Sequence, residues 1–323
     1  MGKPLIAVTD SVFPDLEPTK KVLAVLDAEV VLATEPTTEE IIKVAAQADG
    51  LMVTYGQVTA DIISSLEKCK VIARFGIGFD NIDIDAATKA GIVVVYVPDY
   101  CVDEVSDHAM AMLLDLARKT SFANSLVQSG RWDMKAVTPL YRLRGGTLGL
   151  AGFGKIPQAL TPKAQAFGLK VVAYDPFVPK ETAAALEVEL VDFETLLETS
   201  DYISIHTPLT PETENLFDAA AFRRMKPNAL IVNTARGPLG DADALAKALD
   251  AGEIGGAGLD VLPVEPPPEN SPLLGRGNVI LTPHTGFYSE DALFDLQTKA
   301  AKDVVAVLRG ENPVYPINPE VFE

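Results

Sequence analysis

Short apolar runs rich in Val, Ile and Leu alternate along the chain with longer stretches of helical period, the pattern of parallel sheets assembled from βαβ units. A first series of strands is predicted near residues 5–8, 30–32, 51–53, 71–73 and 92–97. Helices are predicted between them over 38–47, with Glu39 and Glu40 in the first turn, and over 59–66, with Thr59 as N-cap. After Val97-Pro98 the texture changes. Residues 103–118 read as one long amphipathic helix (Val105, Ala109, Met112, Leu113, Leu116), with no strand for about thirty residues beyond it, which places a domain boundary there.

A second series follows, near 147–151, 170–174, 202–205, 229–233, 254–259 and 279–281, and a last helix is predicted over 289–308. The proline-rich stretch from Pro263 to Pro268 has the composition of a linker. Apolar structure resumes at once on both sides, so it reads as a rigid loop after a strand.

Length and charge narrow the possibilities. The 323 residues suit two domains or one large doubly wound unit. With 27 basic and 45 acidic residues the formal net charge is −18, which disfavours nucleic acid and anionic membranes as partners and demands a local basic pocket for any anionic ligand. Cys69 and Cys101 make neither a disulfide framework nor a C-x-x-C pair, and no apolar run approaches a membrane span. The opening Met1-Gly2-Lys3-Pro4 runs straight into strand, so the chain is expected to be mature from Met1 and cytoplasmic. No metal site is read from the residues.

Gly149-Leu150-Ala151-Gly152-Phe153-Gly154-Lys155-Ile156 follows a predicted strand and opens a helix, the context in which a glycine turn receives a pyrophosphate on helix N–H groups. Gly152 would permit the tight turn and Gly154 the close backbone approach, with Phe153, Lys155 and Ile156 completing the cofactor-binding turn. Pro157 stands where a third glycine is usual, and Pro162 is expected to kink the helix. Asp175 ends the next strand, 21 residues after Gly154. An acid there accepts ribose hydroxyls and repels a 2′-phosphate, favouring NAD over NADP.

The chain has three histidines, none decisive alone. His108, inside the long helix, reads as a partly buried structural residue. His206 and His284 each follow a strand, as do Arg236, in Asn233-Thr234-Ala235-Arg236-Gly237, and Glu265, in the proline-rich loop. In a doubly wound sheet such strand ends converge on one crevice. A cation, an acid and an imidazole together suit reduction of a 2-oxo acid: Arg236 clamping the carboxylate, His284 donating the proton, Glu265 orienting His284.

Those blocks, with Gly256-Ala257-Gly258-Leu259-Asp260-Val261 and Thr282-Pro283-His284, resemble the signatures of the D-isomer-specific 2-hydroxyacid dehydrogenases, in the same order and spacing. The resemblance extends to Arg74-Phe75-Gly76-Ile77-Gly78-Phe79-Asp80-Asn81 and so covers nearly the whole chain. It implies Arg236, Glu265 and His284 as the catalytic trio and Arg74 with Gly76, Ile77 and Gly78 at the substrate carboxylate. It further implies Asp175, His206, Thr207, Thr234, Ala235, Asp260 and Gly286 at NAD. The implied fold is two Rossmann-like doubly wound domains: a flavodoxin-like catalytic domain (1–99 and 287–323) with an NAD-binding domain (100–286) inserted. Within the family, Phe79 to Asp83 and Thr285 to Glu290 are most similar to the C-terminal-binding-protein and phosphoglycerate-dehydrogenase-like branch.

The resulting expectation is hydride transfer between NAD(H) and a small (R)-2-hydroxy or 2-oxo acid. An NAD(H)-sensing, corepressor-like binding protein and a phosphite dehydrogenase on the same scaffold are the alternatives. The resemblance also implies a homodimer joined through residues 103–144, where Trp132 either approaches the neighbour's active site or anchors the arm.

Overall fold

The structure, a computed structural model, describes residues 2–322; Met1, read above as the mature start, and Glu323 lie outside the described residues. The chain divides into two compact units, Met1–Tyr100 with Ser289–Glu323, and Cys101–Tyr288. Each is a parallel sheet with helices, so both are doubly wound α/β units of the expected class.

The first unit carries β1 (Leu5–Val8), β2 (Glu29–Leu32), β3 (Gly50–Val53), β4 (Val71–Arg74) and β5 (Val93–Val95), in the order β2-β1-β3-β4-β5. All four residues of β3 and of β4 are buried, because a parallel sheet covered on both faces excludes water from both sets of side chains. Ser289 caps the Glu290–Leu308 helix by accepting the Ala292 N–H at 2.9 Å. That helix packs on β4 and on the Glu17–Leu23 helix, where its buried Gln297 bonds the Thr19 hydroxyl at 2.9 Å. Beyond it the chain seals β5: Ile317 N–H donates to Val94 O at 2.8 Å, and Asn318 Oδ1 accepts the Val94 N–H at 2.7 Å.

The second unit carries β6 (Thr147–Ala151), β7 (Lys170–Tyr174), β8 (Glu189–Leu190), β9 (Tyr202–Ile205), β10 (Leu230–Asn233), β11 (Gly256–Leu259) and β12 (Val279–Leu281). Their order is β12-β11-β10-β9-β6-β7-β8, with every pair parallel. The Val102–Arg118 helix covers one face with Ala109, Met112, Leu113 and Leu116.

Local details have physical causes. The helix predicted from residue 38 spans Thr38–Ala45, with Thr37 before it accepting the Glu40 N–H, while Thr59 sits at its N-cap without a side-chain bond. Pro162 lies inside the Lys155–Ala166 helix, where the neighbouring Thr161 donates its hydroxyl to Pro157 O at 2.8 Å. A Thr120–Gln128 helix, with no buried residue to mark its face, follows the long helix in the stretch where no strand was expected. No helix of the described residues is long and apolar enough to cross a membrane.

Candidate active site

β10, β11 and β12 lie side by side, and the register sets Asn233 against Leu259 and Leu259 against Leu281. The three strands therefore finish level at their carboxyl ends, which is where ligands bind in open α/β sheets. Arg236 follows β10 by three residues, His284 follows β12 by three, and Glu265 follows β11 by six.

Each residue is braced by its own loop. Asn233 folds the turn after β10, donating from Nδ2 to Arg236 O at 2.8 Å and accepting the Ala235 N–H on Oδ1 at 3.0 Å. Arg236 Nη1 donates to Ala235 O at 2.8 Å. A Cβ on the next residue, Gly237, would overlap the Leu262 carbonyl, so only glycine lets the arginine turn press against the loop that carries Glu265. His284 Nδ1 lies 2.8 Å from Glu265 Oε2, and Glu265 Oε1 accepts the Leu262 N–H at 2.9 Å. Partial desolvation opposes the charge on Glu265, yet the bonds from His284 and Leu262 outweigh it and hold the carboxyl below its usual range. Glu265 is thus ionised at neutral pH, and Nδ1 of His284 carries the proton of the shared bond.

His284 has a φ of 54°, in the left-handed region, and its N–H is tied to Asp260 O at 2.8 Å and Thr282 O at 3.0 Å. Asp260, only 3% exposed, organises the whole segment. Its Oδ1 accepts the Thr282 hydroxyl at 2.5 Å and the Thr285 N–H at 2.9 Å, and its Oδ2 accepts the Gly286 N–H at 2.8 Å. His108 Nε2 lies 2.9 Å from Thr282 Oγ1 and 3.4 Å from Asp260 Oδ1. Thr282 has one hydroxyl proton and gives it to Asp260, so His108 is the donor to Thr282. Burial works against the Asp260 charge, but bonds from His108, Thr282, Gly286 and Thr285 prevail and lower its pKa. His108, read from sequence as structural, and Thr282, not singled out there, thus belong to the support of His284.

The nucleotide-type loop lies elsewhere on the same edge. β6 and β9 are neighbours although β7 and β8 intervene in the chain, so the switch point of the sheet falls between them. Gly152 has a φ of +94°, and a Cβ there would come within 2.8 Å of His206 O. Gly154, exposed, is the N-cap of the Lys155–Ala166 helix with no side-chain cap; Lys155 is exposed and Ile156 half-buried. The Phe153 ring is fully buried, and its N–H donates to Asp175 Oδ2 at 2.8 Å. Asp175 Oδ1 accepts the N–H groups of Phe177 and Val178 at 2.9 and 3.0 Å, which ties the end of β7 to the glycine turn. Thr207 donates its hydroxyl to Ala151 O at 3.0 Å. His206 Nε2 lies 2.8 Å from Ser204 Oγ, and burial pushes its pKa down to about 3, so the ring is neutral at physiological pH. Thr234 Oγ1, beside the half-buried Ala235, is buried without a hydrogen-bond partner. An uncapped helix start, a glycine cradle and this orphaned hydroxyl fit a dinucleotide.

In the first unit Arg74, buried at the end of β4, has its guanidinium 5.9 Å from the centroid of the Tyr55 ring and donates to Phe75 O. Gly76 is buried, and Ile77 and Gly78 are half-buried. Among the described residues no group of three or more potential ligands could hold a metal ion.

A nucleotide-type doubly wound sheet with an arginine and an imidazole–carboxylate pair on the loops after three adjacent strands defines a class of dehydrogenase-like protein. The sequence profile of the D-isomer specific 2-hydroxyacid dehydrogenase, NAD binding domain, matches residues 110–286, and the chain belongs to that family. It is 44% identical to D-3-phosphoglycerate dehydrogenase of Methanocaldococcus jannaschii over 285 residues, 88% of this chain and 54% of that protein. The chain thus spans about half the length of that relative. Over 272 residues it is 42% identical to glyoxylate reductase of Thermococcus litoralis, covering 82% of each. D-lactate dehydrogenase from Aquifex aeolicus, solved with NAD and lactic acid, superposes with a TM-score of 0.86 at 27% identity, over 95% of this chain and 96% of that one. An acyclic imino acid reductase solved with NADPH and D-Arg gives a TM-score of 0.85 at 26% identity, over 97% and 99%.

Proposed function

We propose that the protein is an NAD-dependent oxidoreductase interconverting a small (R)-2-hydroxy acid and its 2-oxo acid. The observation that carries this reading is the 2.8 Å His284–Glu265 pair at the level strand ends that also deliver Arg236. The Cys101–Tyr288 unit takes the dinucleotide on Gly152 to Ile156, with Asp175, His206, Thr207, Thr234, Ala235, Asp260 and Gly286 around it. For the substrate carboxylate the same reading assigns Arg74 and the Gly76, Ile77 and Gly78 backbone.

The bound nicotinamide supplies or accepts the hydride. Arg236 holds the carboxylate and polarises the carbonyl, drawing negative charge onto its oxygen. His284, as imidazolium stabilised by Glu265, gives its Nε2 proton to that oxygen; in the reverse direction the neutral ring takes the hydroxyl proton. His284→Ala and Arg236→Ala are each expected to lower the turnover of 2-oxo acids by at least ~100-fold in a steady-state NADH assay. Rates near wild type in either variant would sink the assignment.

Reduction consumes the proton that His284 passes to the carbonyl oxygen, so its rate is expected to fall as pH rises. Glu265→Gln removes the charge that faces Nδ1 and is expected to change the pH profile of reduction; an unchanged profile counts against the pair.

The family fold accepts either nicotinamide dinucleotide, since the imino acid reductase is solved with NADPH. What supports NAD here is the carboxylate of Asp175 at the end of β7, which would meet a 2′-phosphate with like charge. At least tenfold higher kcat/KM for NADH than for NADPH is expected. A dimer through 103–144 is supported by exposed Trp132 and Met134 in that arm, and light scattering tests it.

A further inference from the structure

In the first unit the strand order puts the switch point between β1 and β3, the place where open α/β sheets receive ligands, often anionic ones, on backbone N–H groups. Here the donors of the loop after β3 are already occupied. Asp10, two residues after β1, accepts the N–H groups of Thr54, Tyr55 and Gly56 at 3.2, 2.7 and 3.0 Å. On the other side Asn81 Nδ2 holds the carbonyls of Thr54 and Gly56 at 3.2 and 2.9 Å. A loop clamped through both its donors and its acceptors can offer a ligand little but side chains. Those it exposes are Tyr55 and Gln57, neither of them cationic, and the Tyr55 ring lies against the Arg74 guanidinium.

The charges along this edge agree. The residues leaving the five strands, 9–13, 33–35, 54–57, 75–81 and 96–100, include Asp10, Glu35, Asp80 and Asp99 and no basic residue. Lys299, 3.2 Å from Asp99, is also held by Asp295 at 3.3 Å. Arg74 is therefore the cation of this edge; it and Arg236 are both assigned to the one carboxylate, so these loops hold no further basic side chain for a second anionic group.

We infer that the substrate carries a single negative charge, its carboxylate, on a small uncharged skeleton, and that phosphorylated and dicarboxylic 2-oxo acids are rejected. The inference rests on the assignment of Arg74 to the substrate carboxylate. It separates two activities found among the relatives, since a phosphoglycerate dehydrogenase handles a phosphate that a glyoxylate reductase does not.

The test compares kcat/KM of the full chain with NADH for hydroxypyruvate and 3-phosphohydroxypyruvate, which differ only in the phosphate, alongside glyoxylate, pyruvate and oxaloacetate. Hydroxypyruvate is expected to exceed its phosphorylated form by at least tenfold; any smaller ratio overturns the inference. If no acid turns over, the catalytic reading fails instead, and calorimetric binding of the same two acids to the NADH complex still decides the charge question by the same tenfold criterion. Gln57→Arg should raise the phosphorylated-to-unphosphorylated ratio at least fivefold, and no rise would remove this loop from the substrate's surroundings.

Discussion

His284 occupies a left-handed backbone conformation that costs a residue with a Cβ on the order of 1 kcal/mol or more, so the surrounding bonds must hold it. Asp260 supplies them, and His108 steadies Asp260 through Thr282, a contact between residues 174 apart in the chain. His108→Leu removes the donor to Thr282 and is expected to lower kcat about tenfold with a smaller change in KM. His108→Gln retains an N–H at a similar reach and should recover most of it; equal loss in both variants would reduce His108 to packing. His206 bears on stability instead. Its ring stays neutral in the folded protein down to about pH 3, whereas the unfolded chain protonates it near pH 6.5. The unfolded state then binds more protons between those values, so stability falls as pH drops below 6.5, by at most ~1.4 kcal/mol per pH unit. Urea midpoints at neutral and mildly acidic pH should converge in His206→Gln.

Elements were legible where burial leaves a signature. Strands such as β3, β4 and β9, buried along their length, read as mainly apolar runs, and Arg236, Glu265 and His284 stand out because each lies in the loop that follows a strand. The two-residue edge strand β8 and the Thr120–Gln128 helix, with no buried face, leave no such trace. Nor do the partners of the site residues: nothing local announces that Asp10 clasps Tyr55, that Asp175 ties down the glycine turn, or that Asn318 belongs to β5. Side-chain bonds across long separations are set by the packed sheet, not by neighbours in sequence. Asn318 makes the point quantitatively, since it is 1% exposed and bonds Val94 N–H, Ile92 O and the Thr88 hydroxyl. Asn318→Ala would leave a buried N–H and a carbonyl unsatisfied and is expected to cost about 2–4 kcal/mol in urea unfolding.

At the scale of the molecule, the −18 charge is carried on surfaces where like charges repel and water screens them only in part. Thermal stability should accordingly rise when salt is brought from very low concentration to ~0.15 M, where the Debye length is about 8 Å. Under the proposed function, the same excess of acid leaves the attraction of a small carboxylate to arginines such as Arg74 and Arg236. The path of the chain adds a constraint of timing. Residues 101–288 form a continuous unit, whereas the other is completed only by the Glu290–Leu308 helix and by Asn318. During synthesis at ~5–20 residues per second, the first five strands must therefore wait on the order of ten seconds or longer for the helix that covers β4. Through that interval their apolar faces depend on chaperones or on transient collapse, so the step most exposed to aggregation is the late closure of the first sheet made.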